Sequence, residues 1–168
     1  QGKGTTRKLD PVSRQISSLP ITASVVSDEN MSDSYAWNDG LWMIKRKKEA
    51  GKKKPVTVYE VSLTDWLKEK SADELVDFVK QEGYTHVCFL PVAEYLNEEM
   101  NGYSTLGYFA VTHRTGGRDA FKKLVDDCHN AGIGVIMDWN GAYFGTEAKG
   151  LYDFDGADAY GYLKPVSY

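Results

Sequence analysis

The spacing of apolar positions divides the chain near Pro55. Before that residue the pattern is weak and interrupted by Gly and Pro, although Ile21–Val26 could form a short strand. Trp37, Leu41, Trp42 and Ile44 recur at spacings of three and four, which predicts a short amphipathic helix within Ser32–Lys48. We therefore expect an irregular arm over residues 1–55 and a more regular unit over residues 56–168.

Beyond Pro55 the pattern predicts strands and helices in alternation. The strand segments are short, apolar and rich in β-branched or aromatic residues, as expected where both faces of a sheet are covered. The first helix has a capping box, because Ser71 precedes Glu74 by three residues, and Gly83 ends it. A loop of about fifteen residues is predicted after the second strand. The predicted strands are Val56–Val61, His86–Leu90 and Ile133–Met137, and the second helix is Asp119–Asn130.

This order predicts an α/β fold with parallel strands joined by right-handed crossovers. Three strands and two helices are how a (β/α)8 barrel begins, and a complete barrel takes about 250 residues. We expect a partial barrel with its second strand between the first and the third. Both outer strands would then be open edges, and the barrel's inner face would be bare. We expect that face to use an alternating subset of apolar residues and to promote self-association of the truncated barrel; the candidates are Val58, Val87, Phe89, Val135 and Met137.

Composition narrows the class of protein. Apolar residues make up 42% of the chain and charged residues 26%, which is typical of a globular protein. The net charge of −4 gives no reason to expect nucleic acid as a partner. No apolar run approaches the roughly 20 residues needed to cross a membrane, and no signal peptide is visible. Cys88 and Cys128 lie in apolar segments, which favours buried, reduced thiols and a cytoplasmic location. Gln1 is not an initiator Met, so we expect a cut or processed start.

Chemistry in parallel α/β folds lies where strands end. Three segments leave the carboxyl ends of the predicted strands: residues 60–66, 90–95 and 138–144. Taken alone, Asp138 would more often cap a loop and Tyr103 would more often pack on the core. The three histidines have no metal-ligand spacing, so neither metal nor cofactor is expected. The glycines before Arg118 fit a turn into a helix better than a phosphate loop, which would carry a flanking Lys and Ser or Thr.

Several ordered motifs together resemble the glycogen branching enzymes of the alpha-amylase superfamily. The similarity extends from about residue 10 to residue 156. It includes the segment before the barrel, with Trp37-Asn38-Asp39 and Trp42-Met43. The remaining motifs are Val58-Tyr59-Glu60-Val61, Gly83-Tyr84-Thr85-His86-Val87, Leu90-Pro91-Val92, the run from Gly102 to Ala110, and Asp127 to Trp139. The resemblance implies that residues 1–55 link an absent β-sandwich to the barrel, of which residues 56–168 form the N-terminal portion.

The resemblance also implies the chemistry. Barrel enzymes of this superfamily retain anomeric configuration, which requires a carboxylate nucleophile and a second carboxyl as acid and base. In the family these groups follow the fourth and fifth strands, and the present sequence ends before either. We therefore assign no catalytic residue to this chain and expect the chain alone to be inactive. The expected substrate is an α-glucan such as glycogen or amylose.

Three substrate-binding positions follow from the resemblance. Tyr103 falls where the family places an aromatic ring against the sugar, and Asp138 matches an Asp that organises polar contacts. Tyr143 occupies the position of a family His that hydrogen-bonds the same sugar. The family pattern between the last two is Val-Pro-Gly, and here it is Asn140-Gly141-Ala142; Asn101 stands where Trp is usual.

These departures leave two functions open. The first is α-1,4-glucan branching by the parent protein, which the long ordered match favours. The second is a non-catalytic glucan-binding or scaffolding relative, which the loss of the His at position 143 favours. Carboxylates at the ends of strands four and five, in the rest of the gene, would distinguish the enzyme from the scaffold.

Overall fold

The computed structural model describes residues 7–17, 22–26, 35–141, 144–146, 150–152 and 154 of the 168-residue chain. The helices are α1 Gly40–Glu49, α2 Leu63–Trp66, α3 Ala72–Gln81 and α4 Gly117–Asn130. The strands are β1 Val58–Val61, β2 His86–Phe89, β3 Ala93–Tyr95, β4 Thr105–Val111 and β5 Gly134–Met137. Two single 3₁₀ turns, Glu98–Met100 and His113–Thr115, flank β4.

Strands β1, β2 and β5 form a parallel sheet in that order. Val58 pairs with His86, and His86 pairs with Gly134, so the three strands begin level with one another. The central position of β2 and the parallel pairing confirm the predicted topology. The three strands and the helices α3 and α4 between them form the start of a (β/α) barrel.

The core lies between this sheet and the two crossover helices. Phe89 on β2 packs edge-on against Phe121 of α4, with ring centroids 5.5 Å apart. Tyr59 on β1 contacts Phe78 of α3 at 5.1 Å. Leu75, Val79, Val87 and Phe89 are almost completely buried. Burial of these side chains is the main force that holds the helices on one face of the sheet.

The opposite face of the sheet would be the interior of a barrel. Paired residues of parallel strands point to the same side, so Val58 shares this face with His86, and Glu60 shares it with Cys88 and Ile136. Val58 and Ile136 are 43% and 40% exposed. Of the candidates for this face, Val58 lies on it, whereas Val87 and Phe89 point into the helix-covered core.

The loop predicted after β2 is in fact an antiparallel hairpin of β3 and β4. Its register shifts on either side of Glu94, so the pairing is irregular. Leu106 and Ala110 of β4 pack against Leu9 and Ile16 of the arm. These contacts explain why β4 shows no simple alternation of buried and exposed residues.

The arm is less regular than its pattern suggests. The strand expected at Ile21–Val26 is wrong over residues 22–26, where Ser24 forms a single antiparallel bridge with Ile16. Helix α1 begins at Gly40, so Trp37 precedes it, and none of its residues is buried. Among the described residues, no helix is long and apolar enough to cross a membrane.

Polar contacts, rather than an apolar stripe, attach α1 to α4. Asp39 Oδ2 lies 2.7 Å from His129 Nδ1, and the His129 ring stacks on Trp42 at 3.7 Å. The buried carboxylate of Asp126 accepts hydrogen bonds from the backbone N–H of Asn38. These contacts place the segment before the barrel on the outer surface of α4.

Candidate functional site at the carboxyl edge of the sheet

Two residues singled out from the sequence meet at the carboxyl edge of the parallel sheet. Asp138 directly follows β5, and Tyr103 lies in the turn that leads into β4. The Tyr103 hydroxyl donates a short hydrogen bond to Asp138 Oδ2. The pair combines an aromatic ring with a carboxylate, which are groups suited to the C–H face and the hydroxyls of a sugar.

The backbone fixes both members of this pair. The N–H of Asp138 donates to the carbonyl of Phe89 at 2.8 Å, which extends the ladder between β2 and β5 by one residue. Asn101 and Gly102 both have left-handed φ values, 48° and 86°, and turn the chain immediately before Tyr103. A Cβ at position 102 would lie 2.6 Å from the carbonyl oxygen of Pro91, so only glycine fits this close approach.

The site has a negative electrostatic character. The hydrogen bond to Asp138 raises the pKa of Tyr103 from its ordinary value of 10.0 to about 12, and burial and the charges of Asp138 and Glu60 act in the same direction. Burial, followed by the charges of Glu60 and Asp138, also raises the pKa of the Cys88 thiol. Tyr103, which would be protonated at neutral pH even with its ordinary pKa, therefore remains a hydrogen-bond donor to a higher pH than a free tyrosine does.

A buried carboxylate supports the hairpin that carries Tyr103. Glu94 is 3% exposed and accepts from the Thr112 hydroxyl, the His113 N–H and the Arg114 guanidinium, each at 3.0 Å. Arg114 also donates to the carbonyl of Tyr95 and lies over the ring of that residue. A buried charge is tolerated where hydrogen bonds and an opposite charge compensate it. This cluster ties the start of the hairpin to the turn before α4.

The sequence identified only part of the site. Tyr103 and Asp138 are brought together, whereas Tyr143 lies outside the described residues. Glu60 and Cys88 were not singled out, although both face the barrel interior beside Asp138. The sequence signal for Glu60 is a carboxylate inside the otherwise apolar strand β1. The pairing register of β1 with β2 is needed to show that Glu60 lies on the same face as Cys88.

The histidines are engaged in separate parts of the fold. His86 Nδ1 lies 2.8 Å from the Thr85 hydroxyl, His113 contacts Glu94, and His129 contacts Asp39. Within the part of the chain that the structure describes, no group of three or more His, Cys, Asp or Glu could hold a metal ion. Both cysteines are free, with Cys128 buried and Cys88 half-buried. Gly116 and Gly117 adopt left-handed φ values at the start of α4, as expected for a turn into the helix.

Comparison with known proteins agrees with the geometry. The alpha amylase catalytic domain family matches residues 70–151. The 1,4-alpha-glucan branching enzyme GlgB of Lactiplantibacillus plantarum is 39% identical over 167 residues, covering 94% of this chain and 26% of the relative. The enzyme of the same name from Methylococcus capsulatus is 41% identical and covers 94% of this chain and 22% of its own length.

A solved structure assigned as an alpha amylase, from Salmonella typhimurium, superimposes with a TM-score of 0.64 at 25% identity. It covers 84% of this chain and 23% of its own length. The chain thus spans about a quarter of the length of the relatives it matches. The chain is therefore similar to the alpha amylase catalytic domain over residues 70–151 and, over nearly its whole length, to the region of 1,4-alpha-glucan branching enzymes in which the catalytic domain begins.

Proposed function

We propose that this chain forms the opening part of the catalytic barrel of an α-glucan branching enzyme and supplies one wall of its sugar-binding cleft. The reaction breaks an α-1,4 bond and transfers the glycosyl carbon to a 6-hydroxyl of glucan, and the acceptor proton ends on the released 4-hydroxyl. The observation that carries the proposal is the Tyr103–Asp138 pair at the carboxyl edge of the sheet. The relatives named as branching enzymes support the choice of α-glucan as substrate.

Each member of the pair has a separate role in binding. The ring of Tyr103 stacks on the flat C–H face of a pyranose, and its hydroxyl holds Asp138 in place. Asp138 Oδ1 accepts a hydrogen bond from a sugar hydroxyl, while Oδ2 is occupied by Tyr103. Tyr103 is protonated throughout the neutral range, and its raised pKa extends this arrangement into the alkaline range.

Binding and turnover are tested separately on the purified chain. Titration calorimetry with maltose should show binding that Tyr103→Ala and Asp138→Asn each weaken by about tenfold, since each removes roughly 1–1.5 kcal/mol of contact. Asp77→Asn, which changes an exposed carboxylate of α3, is the matched control and should bind as the unmodified chain does. Equal affinities for all four proteins, or no measurable affinity of the unmodified chain, would contradict the proposed site.

We further propose that the chain alone has no branching or hydrolytic activity, because the two carboxylates of a retaining mechanism act as a unit and neither is assigned to it. An iodine-stain assay on amylose and a reducing-end assay should both stay at blank level. Turnover above blank would overturn this assignment.

The second candidate is a non-catalytic glucan-binding or scaffolding relative. Tyr143 in place of the family His favours it. The complete gene and its product distinguish the two: paired carboxylates after later strands together with branching of amylose indicate the enzyme. Glucan binding without turnover by the complete product indicates the scaffold.

The remaining partner and location assignments are also proposals. We propose that the isolated chain self-associates through its open sheet edges and that the protein acts in the cytoplasm, without nucleic acid or membrane as a partner. Free cysteines and the net charge of −4 support the latter assignments.

A further inference from the structure

A group of exposed aromatic rings lies beside Asp138. Trp139, which follows Asp138, and Phe109 of β4 are each 64% exposed. The Trp139 ring lies against Tyr108, with centroids 5.6 Å apart and an angle of 54° between the planes. Exposed aromatic patches on folded proteins commonly mark binding surfaces.

The absence of a side chain at Gly141 leaves room for the indole ring of Trp139. A Cβ added at Gly141 would lie 2.5 Å from the Trp139 ring, so a side chain at this position would have to displace the ring. The resemblance to branching enzymes predicts a proline at this position, and a proline carries that Cβ. The observed placement of Trp139 therefore depends on the glycine at position 141, where the resemblance implies a proline.

The rings line two adjoining cavities. One of about 260 Å³ contains Asp138 and Asn140 together with Tyr108, Phe109 and Trp139. The second, of about 440 Å³, shares those three rings and lies within the size range of ligand sites. Its other walls are apolar and include two more aromatic rings: Pro11, Gly141, Phe144, Leu151 and Phe154. A continuous path thus leads from the Asp138 carboxylate, over the indole ring, into an aromatic cleft.

This lining suits a chain of sugars. Each pyranose offers a flat C–H face for an aromatic ring and a rim of hydroxyls for a carboxylate or an amide. The two cations that border the smaller cavity have contacts of their own, since Arg118 donates to Asp119 and Lys122 lies over the ring of Tyr35. An anionic ligand would also meet the charge of Asp138.

We infer that Trp139, with Phe109 and Tyr108, forms an outlying α-glucan subsite that binds a glucose unit next to the one held by Tyr103 and Asp138. The inference rests on the proposed function, because it extends the same sugar-binding cleft. It assigns to this chain a contact that lengthens the bound glucan by at least one unit.

Calorimetry with glucose and with the seven-unit glucan maltoheptaose tests the subsite. Trp139→Ala in the 168-residue chain should weaken the binding of maltoheptaose by about threefold to tenfold, as expected for one ring contact, and leave the binding of the single-unit sugar glucose unchanged. Gly141→Ala should act in the same direction, because its Cβ displaces the ring and no positive φ opposes the change. Trp37→Ala is the matched control, since Trp37 is 44% exposed and packs on Tyr35 instead.

The outcomes separate the two proposals. If the unmodified chain binds both sugars and Trp139→Ala binds maltoheptaose equally well, the subsite is overturned and the proposed function stands. An equal loss for glucose and maltoheptaose in Trp139→Ala would also overturn an outlying subsite. Failure of the unmodified chain to bind either sugar would contradict the proposed function and the subsite together.

Discussion

The hydrogen bond between Tyr103 and Asp138 should be visible in the titration of Tyr103. Its pKa is raised to about 12, so the folded protein holds this proton more tightly than the unfolded chain. The stability that results is complete below about pH 10 and is lost as pH rises toward 12. The ultraviolet phenolate titration of the chain minus that of Tyr103→Phe should have a midpoint near 12.

Asp138→Asn provides the control for that titration, because it removes the charge and keeps the size of the side chain. The difference midpoint should fall toward 10, since the largest cause of the shift is the bond to the carboxylate. A midpoint near 10 in the chain with Asp138 intact would contradict the pairing.

The two thiols should differ in reactivity for a related reason. Burial raises the pKa of Cys128 to about 12, whereas Cys88 is half-buried and its pKa is raised less, by burial and by Glu60 and Asp138. Since the thiolate is the reactive form, iodoacetamide at pH 8 should label Cys88 slowly and Cys128 only after unfolding. Glu60→Gln should speed the labelling of Cys88 and leave Cys128 unchanged. Faster labelling of Cys128 than of Cys88 would contradict the core assignment.

At the scale of elements, the capping box of α3 offers a direct test. The Ser71 hydroxyl accepts from the Glu74 N–H, and Glu74 accepts from the Ser71 N–H at 2.7 Å. Ser71→Ala should lower the free energy of unfolding by about 1 kcal/mol in urea denaturation. Glu74→Gln keeps a reciprocal acceptor and should cost less.

The same pair has a defined pH dependence. The bond from the Ser71 backbone lowers the pKa of Glu74, so its contribution is present at neutral pH and is lost as pH falls through the carboxyl's folded pKa. The stability difference between the chain and Glu74→Gln should therefore shrink in acid. A difference that is constant from pH 7 to pH 3 would show that the carboxylate is not engaged.

Elements with regular periods were predictable from the sequence, and the hairpin was not. Helix α3 and strand β2 each bury one set of side chains against a continuous core, so their apolar spacing is clear. Strand β4 buries residues on both of its faces and pairs irregularly with a three-residue strand. Its apolar residues therefore do not alternate with polar ones as they do in a strand with one buried face. For helix α1 the apolar spacing predicts a buried face that the structure does not have. Its apolar residues, such as Leu41, are exposed, and the contact of Asp39 with His129 holds the helix on α4.

At the scale of the whole molecule, the sequence predicted the order of the parallel strands but not the site. Strand order follows from crossover lengths and handedness, which are local properties of the chain. The meeting of Tyr103 with Asp138 depends on the close approach of Gly102 to Pro91, two segments that no periodicity relates. Only the resemblance to a known family linked those two residues beforehand.

The open edges of the parallel sheet give the last prediction. Strands β1 and β5 each have a strand on one side only among the described residues, and Val58 and Ile136 expose apolar surface on the uncovered face. Unpaired edges next to apolar surface favour pairing with another chain. Light scattering should therefore give a mass above the 18.8 kDa of a monomer, increasing with concentration.

Ile136→Lys should shift the population toward monomer, because a charge on an edge strand opposes strand pairing. Val26→Lys places the same charge on an exposed valine of the arm and should leave the association unchanged. A monomer at all concentrations that binds no hydrophobic dye would mean that this face is covered in the isolated chain.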